Sequence, residues 1–106
     1  MSDDSRPGLA TLEAFYAAVH AQKGAKPQAS RIAELLDQDV RKLAKKLGEE
    51  AVETALAAAS GDTGDIIAES SDLLFRLLVL WAKLDVDPAR VLAELAARHG
   101  PKTRGS

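Results

Sequence analysis

Between Asp65 and Lys83, the residues Ile66, Ser70, Leu73, Leu74, Leu77, Leu78 and Trp81 recur at helical spacing and form a broad apolar stripe. A stripe of that width needs more than one neighbour to cover it, so the spacing predicts a helix packed among other helices. The rest of the chain keeps the same period. After Thr11 as a predicted N-cap, Leu12, Phe15, Tyr16 and Val19 fall at i, i+3, i+4 and i+7, and Gly24 closes that helix ahead of the Lys26-Pro27 loop. Ser30 caps a segment with Ile32, Leu35 and Leu36 inward, and Val40, Leu43, Leu47, Ala51, Ala55 and Ala58 carry the apolar pattern on to Ser60. Across Asp37 to Asp39 the sequence reads equally as a break or as one continuous helix. Gly61 stops that helix, acidic and hydroxyl residues up to Asp65 cap the next, and Asp87-Pro88 opens a last helix with Val91, Leu92 and Leu95 inward, ended by Gly100-Pro101. No segment alternates with the period of a strand. The expected fold class is all-α, an antiparallel bundle of about four to five helices.

Composition narrows the function. Only Phe15, Tyr16, Phe75 and Trp81 are aromatic, so the core is built of Leu, Val, Ile and Ala ridges. With 106 residues the chain reads as one domain, with 1–8 and 101–106 as flexible ends, at a size where association with a second copy often adds stability. The 14 basic and 16 acidic residues are interspersed, which argues against a nucleic-acid footprint. The absence of cysteine removes disulfides, thiolate nucleophiles and thiolate metal sites. Leu73 to Ala82 is interrupted by Arg76 and too short to span a bilayer, and the acidic start is no signal peptide, so a cytoplasmic protein without membrane contact is expected.

The chemistry concentrates in Lys46-Leu47-Gly48-Glu49-Glu50-Ala51-Val52-Glu53 and in Glu69-Ser70-Ser71-Asp72. At about 100° per residue, Lys46, Glu50 and Glu53 share one side of a helix and Glu50 falls almost inside the apolar line. Glu69, Asp72 and Arg76 edge the stripe of the following helix. Packed antiparallel through the Gly61 turn, the two helices bring four carboxylates together. Such a cluster loses hydration and repels itself unless a cation neutralises it. Oxygen donors suit Mg²⁺, or Mn²⁺, and the matching chemistry is metal-assisted hydrolysis of a phosphoanhydride. Taken singly, each acidic pair is ordinary helix surface. Lys46 is expected to meet a phosphate oxygen, the alternative being an ion pair with Glu50. Arg76 offers a phosphate fork or a pair with Asp72. Gly48 inside a helix marks a close approach by another helix or by substrate, or else a tolerated defect. His20 and His99 read as helix C-terminal caps, Trp81 as core or dimer contact, and Lys102 and Arg104 as a basic tail.

On these two motifs the chain resembles the phosphoribosyl-ATP pyrophosphohydrolase family of histidine biosynthesis, among the MazG-like all-α nucleotide pyrophosphohydrolases. The resemblance runs from about Leu12 to Gly100. It implies that Glu50, Glu53, Glu69 and Asp72 bind Mg²⁺, with Glu49 orienting water beside them. It also implies cleavage of the nucleotide between the α and β phosphates to phosphoribosyl-AMP and pyrophosphate, in a homodimer with the site near the subunit interface. Ser30-Arg31-Ile32-Ala33 stands where the family usually has Ser-Tyr-Thr-Ala, and Phe75-Arg76 where it has Tyr-His. These departures touch substrate recognition. A pyrophosphohydrolase acting on another nucleotide is therefore the alternative, and a non-catalytic helical dimer is the alternative from a different class.

Overall fold

The computed structural model describes residues 7–101, so most of both predicted flexible ends, together with Lys102 and Arg104, lies outside the described residues. Five α-helices follow in order: α1 (Leu9–Ala21), α2 (Arg31–Leu36), α3 (Val40–Ser60), α4 (Thr63–Leu84) and α5 (Pro88–His99), with a 3₁₀ turn at Pro27–Ala29 before α2. No strand occurs among the described residues, in keeping with the all-α expectation.

Local chemistry sets most of the boundaries. Ser30 Oγ accepts the Ala33 amide at 3.0 Å, Asp39 Oδ1 that of Arg41 at 2.7 Å, Asp62 Oδ1 that of Asp65 at 3.1 Å, and Asp87 Oδ1 that of Ala89 at 2.9 Å. Each occupies one of the donors a helix start leaves without an internal partner. Asp39 is a cap, so the chain between α2 and α3 is broken at 37–39. Two other predicted starts move. The cap of α1 is Gly8, whose amide donates to Thr11 Oγ1 at 3.3 Å, and α4 begins at Thr63 under Asp62 rather than at Asp65. Gly61 ends α3 with φ of 81°, a left-handed conformation that glycine adopts without a Cβ penalty.

α3 and α4 form a long hairpin, while α1 and α2 both lie against α4. The core is Val19 from α1, Leu35 and Leu36 from α2, Leu43 from α3, and Val79 and Ala82 from α4, flanked by Tyr16, Ile32, Phe75 and Leu80. It therefore sits at the C-terminal half of α4. The covered face is turned from the predicted stripe: Leu78 is buried, Ile66, Ser70, Leu73, Leu77 and Trp81 are half-buried and Leu74 is exposed, while Val79 and Ala82, outside the stripe, are fully buried. On α5 the expected inward face is covered in part, with Val91 and Leu92 half-buried and Leu95 exposed.

Lysines close the bundle. Lys83 Nζ donates to the Leu36 carbonyl at 2.8 Å, and Lys23 Nζ to the Lys83 carbonyl at 3.1 Å. These are the carbonyls that helix ends leave free, and cations there also suit the helix dipole. Asp85, left-handed at φ of 58°, receives Lys23 at 2.7 Å and His20 Nε2 at 2.9 Å, so His20 joins two helix ends across the fold rather than only capping its own.

Hydrogen bonds from Lys23 and then His20 hold the Asp85 carboxyl below its ordinary range. A carboxyl lowered by folding contributes stability above its unfolded pKa and loses that contribution as pH falls through the folded one. Asparagine tolerates the left-handed conformation but carries no charge. Asp85→Asn is expected to melt a few degrees below wild type at pH 7, with the gap closing as pH drops below about 4. Equal melting curves at pH 7 would remove this clasp from the account.

Candidate metal centre

The face of α3 turned to α4 can be followed by burial. Leu43 and Ala57 are buried, and Leu47, Glu50 and Thr54 between them are half-buried, at i, i+4, i+7, i+11 and i+14. The expected continuation through Ala51, Ala55 and Ala58 is instead exposed. Alanines spread around a helix give little contrast between its faces, so the contact line is set by the partner helix. The shift places Glu50 within the helix contact rather than at its margin. On α4 the half-buried residues Ile66, Glu69, Leu73, Leu77 and Leu80 form the opposing line, with Asp72 exposed beside it.

One carboxylate oxygen from each of Glu50, Glu69 and Asp72 lies within 4.8 Å of the other two. Glu50 Oε2 is shut off from solvent and has no hydrogen-bond partner among the described residues. Loss of hydration pushes the Glu50 carboxyl up from its ordinary range, and the charges of Glu53, Asp72 and Glu69 push it further. An acceptor with no donor, walled by like charges, is unfavourable by itself and suits a bound cation. Glu53 is exposed and stands outside the group of three, close enough to repel Glu50.

Over residues 12–99 the chain matches the model of the family described as phosphoribosyl-ATP pyrophosphohydrolase. It is 47% identical over 100 residues to the phosphoribosyl-ATP pyrophosphatase of Azospirillum brasilense, covering 94% of this chain and 89% of that one. The protein of the same name from Parvibaculum lavamentivorans is 49% identical over 89 residues, 84% of this chain and 82% of its own. The chain belongs to the phosphoribosyl-ATP pyrophosphohydrolase family.

Within a phosphoribosyl-ATP pyrophosphohydrolase scaffold the remaining positions sort by their neighbours. Lys46 pairs with Glu49 at 3.5 Å, and not with Glu50; both partners are half open to solvent. Arg76 makes no ion pair with Asp72 among the described residues; its guanidinium lies 5.8 Å from the centre of the Phe75 ring. Phe75 itself meets Phe15 edge to face, with ring centres 6.2 Å apart, so its departure from the family pattern belongs to packing. Arg31 is exposed on the first turn of α2. Beyond its own helical backbone and chain neighbours, nothing among the described residues lies within 4 Å of the Cβ position at Gly48, so no other helix among them approaches it closely.

Sequence reasoning missed Thr54. Its Oγ1 donates to the Glu50 carbonyl at 2.8 Å and also lies 3.2 Å from the Glu69 carbonyl of α4. The available signal was its place one turn after Glu50, in a line where alanine would fill the space.

Proposed function

We propose that this chain hydrolyses phosphoribosyl-ATP to phosphoribosyl-AMP and pyrophosphate, the step its family name describes in histidine biosynthesis, with Mg²⁺ or Mn²⁺ held by Glu50, Glu69 and Asp72 and completed by Glu53. The observation that carries this reading is the convergence of three carboxylates around a shielded Glu50 oxygen that lacks a partner. Oxygen-only donors of this kind match hard divalent cations, which favour substrate phosphates as further ligands. When bound, the ion offsets charge developing on the phosphoanhydride and activates a water. Glu49, one residue before Glu50, orients that water and accepts its proton. Lys46 meets phosphate oxygens from the same face of α3, and the planar fork of Arg76 meets them from α4.

A homodimer forms part of the reading. Val52 and Leu56 on α3, and Ile67 and Leu74 on α4, are each more than half exposed. Apolar side chains exposed together on one hairpin mark a surface for association. No helix among the described residues is long and apolar enough to cross a membrane, so a bilayer-spanning role does not compete for these residues.

Pyrophosphate release from phosphoribosyl-ATP, compared with a panel of nucleoside triphosphates with and without Mg²⁺, tests the reaction. The expected result is turnover of phosphoribosyl-ATP that ends on chelation. Activity confined to the panel would move the chain to the alternative substrate, the outcome the Arg31 and Arg76 positions favour. No release from any nucleotide would leave the non-catalytic dimer.

A further inference from the structure

Resting on the metal reading above, we infer that Thr54 is a positioning residue that fixes the spacing of the ion's donors. A threonine inside a helix commonly bonds the carbonyl one turn back, and the 2.8 Å contact with Glu50 is of that kind. The second contact, 3.2 Å to the Glu69 carbonyl, is between helices. One hydroxyl hydrogen is thus shared between the main chains of two of the three converging acidic residues. Its β-branch restricts the side-chain rotamer, which keeps the oxygen in place between α3 and α4. No other hydrogen bond joins α3 to α4 among the described residues outside regular helix bonding. Around it Leu47 and Ala57 on α3 and Ile66 and Leu73 on α4 are buried or half-buried and apolar, so Thr54 is the polar tie in this stretch. Since the carboxylates of Glu50 and Glu69 start from the backbone that Thr54 ties together, sliding one helix changes the gap their oxygens present. A small divalent ion tolerates little such change.

The test compares wild type with Thr54→Val, which keeps shape and removes the hydroxyl, and Thr54→Ser, which keeps the hydroxyl, by calorimetric titration with Mn²⁺ alone. T54V is expected to bind about tenfold more weakly, as for the loss of a group that orients metal ligands, while T54S stays within about threefold of wild type. In turnover, the Mn²⁺ concentration for half-maximal rate should rise by the same factor in T54V, with kcat recovering at saturating metal. Melting curves show whether T54V is folded under assay conditions; if it is not, Thr54→Ala takes its place with the same expectation. Wild-type Mn²⁺ affinity in a folded hydroxyl-free variant, or equal weakening in T54S, would overturn the role of Thr54 while leaving the metal reading intact. A wild-type protein that takes up no Mn²⁺ would overturn both.

Discussion

Replacing Glu50 by glutamine is expected to lower pyrophosphate release by about 10²- to 10³-fold, the scale seen when a group that stabilises developing charge is lost. The fold should survive. Glu50 Oε2 is shielded and unpartnered, and Glu53, Asp72 and Glu69 all repel its charge, so the metal-free protein holds this carboxylate at a cost. Glutamine fills the same space without the charge. Metal-free Glu50→Gln is therefore expected to melt at or above the wild-type temperature. Added Mg²⁺ or Mn²⁺ should raise the melting temperature of wild type and leave that of the variant unchanged, because a ligand stabilises only the folded state that binds it. Combining turnover with melting separates a lost ligand from a damaged fold. A variant with wild-type turnover would remove Glu50 from the centre, and one that unfolds without metal would make Glu50 a structural residue.

The second large effect concerns association. Seen along α3, Ala44, Gly48, Val52, Ala55, Leu56 and Ala59 lie on the side away from α4, and all are exposed. Small residues there let another helix come close, and Val52 and Leu56, 59% and 64% exposed, supply the apolar contact. Wild type is expected to sediment as a dimer at micromolar concentration. The double variant Val52→Glu, Leu56→Glu should sediment as a monomer with its helix content preserved, since both side chains lie outside the core of the single chain. A wild type that stays monomeric at high concentration, or a double variant that stays dimeric, would reject this face as the seam.

The two predictions draw on different kinds of information. Glu50 was visible in the sequence because a charge at apolar phase is out of place on an amphipathic helix, and the structure shields one of its oxygens. The proposed seam rests on exposure in the folded chain instead. Gly48 was expected to mark a close approach by another helix or by substrate, or else a tolerated defect, and among the described residues nothing beyond its own helical backbone and chain neighbours comes within 4 Å of its Cβ position. Lys46 was expected to pair, if at all, with Glu50, but it pairs with Glu49, because Glu50 turns toward α4 and Glu49 remains in solvent reach.

Sequence alone determined what depends on near neighbours along the chain. The helical period, the Ser30 and Asp87-Pro88 starts and the Gly61 stop are local matters of side chain against adjacent backbone, and they stand as read. Tertiary structure decided what depends on which helix lies where. It chose Val79 and Ala82 over Leu74 for burial, because the side of α4 that is covered is set by where α1 and α2 pack around it and not by its own apolar stripe. It carried the α3 contact line through Thr54 and Ala57 rather than through the neighbouring alanines, and it set Thr54 between the backbones of Glu50 and Glu69. A period of 3.6 residues gives the direction of each side chain around its own axis; the distance to the group it meets comes from the rotation and offset of a second axis, which no single helix encodes.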